Sequence, residues 1–258
     1  MVKISWICAS RDDGFGGTLE GVENFNLKRI NICLGSLLAL GRDDEIIMVD
    51  FCSSGKPLKE SLRHLPVRVI TVDKGLLDLL QADIPGQKMP FYEYLAKDIG
   101  IRRAKNDLII ACNPDNIFPS INLDEMIEDL EKGFIAKAVR LEIASEYAKL
   151  DIPTLVDMAN KDQFKVSQRF TTAAGDFTGF KRSIYEDIGG YPLMHIDWHM
   201  DNLFFDLAKL KGYEFAQTYS HYHIFHEGTI YAPLKNHDWQ NAPIISKKII
   251  GRVNEFVA

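Results

Sequence analysis

The sequence has few of the features that mark secreted, disulfide-stabilised or membrane-spanning proteins. Its cysteines are Cys8, Cys33, Cys52 and Cys112. They have no CxxC spacing and lie mostly in apolar runs, which favours reduced, buried thiols over a disulfide framework or a zinc site. The first apolar run meets Arg11 and Asp12 too early for a signal sequence or a membrane span. We therefore expect a cytoplasmic protein with no membrane span.

An excess of charge of one sign is also missing. The 258 residues carry a formal net charge of only -6, and charged residues make up 26% of the chain. Such a chain has no strong field with which to hold nucleic acid or an anionic membrane. Neither is therefore an expected partner, and selective chemistry has to come from a local site.

Glycine motifs that bind nucleotides are absent too. The glycine-rich stretch 14–17 lacks the spacing GxGxxG or GxxxxGK[ST], so we interpret it as a mobile loop rather than a phosphate cradle. The chain shows no repeat, low-complexity tract or linker. Because 46% of its residues are hydrophobic, it can build one large core, and we expect a single domain over residues 1–258.

What the sequence does contain is an alternation of short apolar runs with longer amphipathic ones. This pattern is typical of βαβ units. The predicted strands are 3–9, 45–51, 67–72 and 108–112, and the predicted helices are 27–40, 91–105 and 124–132. Gly41 is expected to end the first helix. We predict an α/β fold with a mostly parallel central sheet flanked by helices, whereas residues 145–172 show no clear pattern.

Polar residues lie at or just after the ends of three of these strands, on the side of the sheet where α/β proteins bind ligands. They are Ser10–Asp12, Asp50 and Asn113–Asn116. Asn113 and Asp115 have the i, i+2 spacing that puts both side chains on one side of an extended segment, where they can share a hard cation. The alternative is an ordinary type I turn, since Asn, Pro and Asp all favour turns.

Three segments give these residues a context. Residues 97–115 resemble the RNxGxxxAxGDxIxxxDxD segment of GT-A glycosyltransferases, with Asn113 where the first Asp of the DxD motif usually stands. Residues 174–191 resemble the glycine-rich donor-sugar loop and the following FxxRxxFxxIGGY segment of the same enzymes. Residues 197–202 resemble the DWGxED motif of galactosyl- and N-acetylgalactosaminyltransferases. The order and spacing of the three matches identify the chain as resembling a family-2-like GT-A enzyme.

The resemblance implies a single GT-A (Rossmann-like) domain and a set of site residues. Its parts would be a nucleotide-binding half (1–116), a sugar and acceptor half (117–235) and a C-terminal tail (236–258). The implied nucleotide contacts are Ala9, Ser10, Arg11, Asp50, Arg103, Asn113 and Pro114. The implied sugar and acceptor contacts are Gly175, Asp176, Trp198, Asp201 and Asn202. A Mn²⁺ or Mg²⁺ ion would be bound by Asp115 and His226, with Asn113 assisting.

The histidines near the last predicted strand decide the remaining ion ligand. In an extended chain His221 and His223 lie on one face and His226 on the other, so all three cannot bind one ion. His226 belongs to an HxGT sequence that matches the end of the family's domain, so we choose it and keep His223 in reserve. A structural histidine, satisfied by hydrogen bonds, is the alternative.

Asp201 occupies the acidic position of the third motif. The resemblance implies that it is a general base for the acceptor hydroxyl, which favours inversion at the sugar carbon. Alternatively it caps the helix that runs to Leu210. The hypothesis is metal-dependent sugar transfer from a UDP- or GDP-linked donor to a glycan or other hydroxyl acceptor. A sugar-phosphate nucleotidyltransferase and a catalytically silent nucleotide-sugar-binding protein are the alternatives.

Overall fold

The strands of the protein form one curled sheet. The computed structural model describes residues 2–12, 17–83, 89–171, 175–195, 200–226 and 243–258, so most of the glycine-rich stretch 14–17 lies outside the described residues. Within these ranges the strands are β1 (Ile4–Ser10), β2 (Glu45–Phe51), β3 (Arg68–Val72), β4 (Leu108–Cys112), β5 (Asn116–Ile117), β6 (Ile135–Ile143), β7 (Val166–Phe170), β8 (Phe177–Lys181) and β9 (Phe215–Ile224). Their order is β3-β2-β1-β4-β8-β6-β9-β5, with β7 paired to β6.

Helices cover both faces of this sheet. In the described ranges they are α1 (Phe25–Ala39), α2 (Leu58–Ser61), α3 (Lys74–Asp83), α4 (Glu93–Ile101), α5 (Leu123–Lys132), α6 (Ile152–Asn160), α7 (Arg182–Ile188), α8 (Met200–Leu210) and α9 (Lys247–Arg252), with 3₁₀ turns at Ser145–Lys149 and Val253–Phe256. None of these helices is long and apolar enough to cross a membrane.

The first half of the sheet is parallel, as the βαβ pattern predicts. Strand β1 lies between β2 and β4 and runs parallel to both, and β3 is parallel to β2. Successive residues of β1 point to opposite faces. Ile7 therefore packs with α4, while Trp6 and Cys8 pack with α1. Gly41 follows α1 with φ +67°, which confirms the predicted helix end.

The second half of the sheet corrects the prediction of a mostly parallel sheet. Strand β8 runs antiparallel to both β4 and β6. Strand β5 is antiparallel to β9, and β7 is antiparallel to β6. Only β6 and β9 are parallel in this half of the described sheet. The sheet is therefore mixed. The expectation was wrong because it extended the βαβ pattern of residues 3–112 to a region where strands follow each other without that alternation.

Residues 145–172, which the sequence left without an assignment, contain regular structure as far as residue 171. They include the 3₁₀ turn, α6 and β7. Helix α6 begins after Asp151, whose carboxylate accepts a hydrogen bond from the Thr154 backbone N–H. It buries Leu155 and Ala159 in a small third core cluster. The four residues from Val166 to Arg169 are all exposed, so β7 lacks the polar and apolar alternation by which a half-buried strand is recognised.

A glycine fixes how closely α4 approaches the parallel strands. A Cβ atom on Gly100 would lie 2.5 Å from Cγ2 of Ile7 and 3.0 Å from Cγ2 of Val49. Since both neighbours are β-branched residues in buried strands, neither side chain has room to move aside. The helix can pack here because residue 100 has no side chain.

We expect Gly100→Ala to lower the free energy of unfolding by about 1–3 kcal/mol through overpacking. The control is Gly251→Ala in α9, where a Cβ would meet nothing within 4 Å. It should leave stability unchanged or raise it slightly, because alanine favours a helix. Urea unfolding measures both, and equal stability of the two variants would contradict this packing account.

Candidate functional site

The site forms where three segments meet at the carboxyl end of β4. The in-register pair Cys112 and Phe177 places the start of β8 beside the end of β4. Strand β5 pairs with the end of β9 through Asn116 and His223. The residues after β4, before β8 and at the end of β9 are therefore adjacent, although they are far apart in the sequence.

Asp115 is the centre of this site. Its carboxylate is only 9% exposed, and its Oδ2 atom lies 3.0 Å from Nε2 of His226 and 3.6 Å from Nε2 of His223. The guanidinium of Arg29, which is buried in α1, reaches to 3.5 Å of the same oxygen. A buried carboxylate requires such partners, because an unpaired charge is strongly disfavoured away from water.

The donors around Asp115 fit a metal ion. One ligand atom from each of Asp115, His223 and His226 lies within 4.8 Å of the others. The second carboxylate oxygen of Asp115 is buried and has no hydrogen-bond partner among the described residues. Buried polar atoms normally have partners, so this oxygen is available to a ligand. A carboxylate with two imidazoles suits a divalent first-row transition-metal ion better than Mg²⁺, which prefers oxygen ligands.

The charge state of Asp115 supports the same interpretation. Burial on its own raises the pKa of this carboxyl, but His223 and His226 outweigh that effect and hold the pKa well below its usual value. The group is therefore ionised at neutral pH. An ionised carboxylate is the form that binds a cation.

The histidine prediction is corrected in part. His226 lies against Asp115, as the motif implied, but His223 shares that position with it. Strand β9 ends at Ile224, so alternation along an extended chain does not separate the two side chains. His221 packs with the rings of Phe118 and Phe177, apart from the cluster. Burial lowers the pKa of His221 to about 4, so it is neutral at neutral pH.

The side-chain amide of Asn113 is hydrogen-bonded at both ends. Its Oδ1 accepts a hydrogen bond from Lys97 Nζ at 2.6 Å, and its Nδ2 donates to Asp176 Oδ1 at 2.9 Å. Both ends of this side chain are thus engaged by protein groups, and its expected assistance to the metal stays a prediction. Pro114, partly exposed, follows it and leads directly to Asp115.

Asp176 is held from two sides. Its Oδ2 accepts a hydrogen bond from Arg140 Nη1 at 2.9 Å, opposite the bond from Asn113. Arg140 also donates to Glu142 at 2.7 Å, and Glu142 Oε2 lies 3.7 Å from Nδ1 of His223. Sequence reasoning missed Arg140 and Glu142. The available signal was a pair of opposite charges at i, i+2 spacing in β6, whose other residues are mostly apolar.

Asp201 lies close to Gly175, the residue before Asp176. A Cβ on Gly175 would lie 2.8 Å from the Tyr94 hydroxyl oxygen and 3.5 Å from Asp201 Oδ2. Asp201 lies in the first turn of α8, so its position suits a helix end as well as a base. Asn202 is exposed on the same turn, and Trp198 lies outside the described residues.

Four of the residues predicted to contact a nucleotide lie near the carboxyl ends of β1 and β2. Ala9 and Ser10 are buried at the end of β1, and Arg11 donates a hydrogen bond to the Pro90 carbonyl. Asp50 is fully buried. Its oxygens accept hydrogen bonds from the Ser53 hydroxyl and from a backbone N–H at the start of α2, so it secures its own loop.

Arg103, also predicted to contact a nucleotide, lies away from Asp115. It follows α4 and bonds Asn254 and the Ile99 carbonyl, while its own carbonyl accepts from Arg68 at the beginning of β3. These contacts lie at the amino ends of the parallel strands, whereas Asp115 lies at their carboxyl ends. The structure therefore does not bring Arg103 to the site.

Comparison with known proteins identifies the fold. No protein-family model matches the sequence, and no curated protein matches it either. The chain resembles the crystal structure of S. aureus TarS 1–349 in complex with UDP-GlcNAc, with a TM-score of 0.56 and 13% identity over 88% of this chain and 60% of that one. For the UDP complex of the same fragment the values are 0.51 and 15%, over 87% and 61%. A further TarS structure gives 0.52 and 13%, over 87% and 37%.

The chain thus spans about 60% of the TarS fragment. At this identity the likeness concerns the fold alone. The predicted α/β fold with helices on a central sheet is confirmed, it is shared with the TarS structures, and its sheet is mixed in place of mostly parallel.

We expect His223→Ala and His226→Ala each to weaken Mn²⁺ binding by at least about tenfold, since each removes a nitrogen donor beside Asp115. The control is His64→Ala, which removes an exposed histidine that follows α2 and does not belong to the cluster of Asp115, His223 and His226. Electron paramagnetic resonance of free Mn²⁺ measures the three affinities. Unchanged binding in both site variants would show that the ion site is elsewhere.

Proposed function

We propose that this protein transfers a sugar from a nucleoside diphosphate sugar to a hydroxyl acceptor, with a divalent metal ion bound at Asp115, His223 and His226. The observation that carries this proposal is the ion-binding cluster at the carboxyl end of β4, in a sheet that resembles TarS. Ligands of open α/β sheets bind at this edge. Because TarS structures contain UDP-GlcNAc and UDP, a UDP-linked donor is favoured over a GDP-linked one.

The charges of the site suit a diphosphate leaving group. A divalent ion, when bound, neutralises the negative charge that develops on the departing diphosphate. The Asp115 carboxylate is kept ionised for that ion, and Arg29 adds a second positive group on the side of α1. Asp115 therefore orients the cation, while Arg29 limits the cost of burying the carboxylate.

The sugar is proposed to lie against Gly175 and Asp176. The Tyr94 hydroxyl and the Asp201 carboxylate approach the place that a Cβ of residue 175 would take, so glycine lets these side chains come close to the backbone beside Asp176. Asp176 itself is fixed by hydrogen bonds to both of its oxygens. Each carboxylate oxygen has further lone pairs, so Asp176 can still accept hydrogen bonds from sugar hydroxyls. A preorganised acceptor of this kind costs no rearrangement when the sugar binds.

Asp201 is the proposed general base. Its Oδ2 atom lies 3.5 Å from the place that a Cβ of Gly175 would take, and the acceptor hydroxyl is proposed to approach it there. To remove its proton the carboxylate has to come within about 3 Å of the hydroxyl oxygen. Attack from this side, opposite the leaving group, gives inversion of the sugar carbon. The acceptor is proposed only as a glycan or another hydroxyl compound.

Donor binding is the first test of this function. Thermal unfolding with UDP and UDP-GlcNAc should show a rise of several degrees in Tm with Mn²⁺ and a much smaller rise without it, since a ligand of the native state stabilises it. Asp115→Ala should remove the metal-dependent part. No shift with any nucleoside diphosphate at millimolar concentration would contradict the proposal.

The base assignment makes a separate prediction. Asp201→Asn should lower the transfer rate by about 100-fold or more while donor binding stays within about twofold, because the amide cannot take up the proton. Asp206→Asn, an exposed carboxylate on the same helix, is the control. Release of UDP is measured; release of pyrophosphate would indicate a nucleotidyltransferase instead. Donor binding without any turnover across acceptors would indicate a silent binding protein.

A further inference from the structure

We propose that Asn113 is a positioning residue for Asp176 and not a ligand of the ion, and that its amide is the reason why this chain has no acidic residue at that position. The sugar-facing role of Asp176 rests on the proposed function. The hydrogen bonds that link Lys97 to Asp176 through Asn113, which we call the bridge, are observed among the described residues and do not depend on that function.

The bridge begins at Lys97, which is 1% exposed. Its ammonium donates to Glu93 Oε1 at 2.5 Å, to Asn113 Oδ1 at 2.6 Å and to the Gly175 carbonyl at 2.8 Å. These three bonds use all three N–H groups of a lysine. Lys97 therefore joins α4, the segment after β4 and the segment before β8 at one point.

The orientation of the Asn113 amide follows from chemistry. Lys97 can only donate hydrogen bonds, so the amide oxygen has to face it. Asp176 accepts hydrogen bonds from Arg140 with one carboxylate oxygen and needs a donor for the other, so the amide nitrogen has to face that side. A side chain that accepts at one end and donates at the other is therefore required, and asparagine meets this requirement whereas aspartate does not.

The same contacts immobilise Asp176. Asn113 bonds it through the side chain and also through a backbone N–H to the Asp176 carbonyl at 3.2 Å, and Asn116 Nδ2 reaches that carbonyl at 3.2 Å. Arg140 holds the other carboxylate oxygen. An aspartate at position 113 would remove the side-chain donor and place two buried carboxylates against each other, which is unfavourable.

The test first introduces a DxD sequence at residues 113–115 and then exchanges the amide of residue 113 with the carboxylate of residue 176. The variants are Asn113→Asp, Asp176→Asn and the double variant, with Asn106→Asp as a matched control. Asn106 is a partly buried asparagine whose amide also makes two hydrogen bonds, to the Ile4 carbonyl and the Ser5 hydroxyl, at the opposite edge of the sheet. It controls for the loss of an amide donor outside the site.

Stability and ion binding are measured first, because neither depends on the proposed activity. Asn113→Asp should lower Tm by about 5 °C and leave the Mn²⁺ affinity within about threefold. The double variant should recover most of the lost Tm, since an amide at position 176 can donate to a carboxylate at position 113. A Mn²⁺ affinity that rises about tenfold or more in Asn113→Asp, or no recovery in the double variant, would overturn the proposal.

Donor binding distinguishes positioning from stability alone. By calorimetry with UDP and UDP-GlcNAc, Asn113→Asp should weaken UDP-GlcNAc by about tenfold and change UDP little, while Asn106→Asp should change neither. Equal weakening of both ligands would overturn the positioning role. If the unaltered protein binds neither ligand, the proposed function fails, and the Tm cycle still decides whether Asn113 bridges Lys97 and Asp176.

Discussion

Burial of the Asp115 carboxylate is the constraint on which the rest of the site depends. A carboxylate that has lost water needs positive or hydrogen-bonding partners. Here they come from two distant elements, because Arg29 lies in α1 and the two histidines lie at the end of β9. One oxygen is left without a protein partner among the described residues, and that is where the proposed cation would complete the arrangement.

The mixed sheet is what makes these elements converge. If β8 were parallel to β4, its beginning would lie at the far edge, and Asp176 would be remote from Asn113. Because it is antiparallel, the backbone N–H of Asn113 bonds the Asp176 carbonyl directly. The reversal that departs from the βαβ pattern therefore brings the segments of Asp115 and Asp176 together. The buried ammonium of Lys97 and the partly buried guanidinium of Arg140 join them.

Local patterns in the sequence predicted the parallel half of the fold, and the family resemblance pointed to Asp115 and His226, which the structure brings together. They were sufficient there because strand and helix periodicity is a local property, and because motif spacing places polar residues at strand ends. The pairing of His223 with Asp115, which are distant in the sequence, and the bonds of Asn113 to Lys97 and Asp176 depend on sheet order. Sequence periodicity carries no information about that order. Arg140 is different, because its opposite charge to Glu142 two residues on was a local signal, and only its contact with Asp176 depends on sheet order.

The central claim is that Asp115, His223 and His226 bind a divalent ion that contacts a nucleoside diphosphate. Anomalous X-ray diffraction at the manganese edge, from crystals grown with Mn²⁺ and UDP, tests it most directly. The account predicts one strong peak within bonding distance of the Asp115 carboxylate and both imidazoles, with the UDP phosphates as further ligands. A peak elsewhere, or UDP bound away from Asp115, would contradict it.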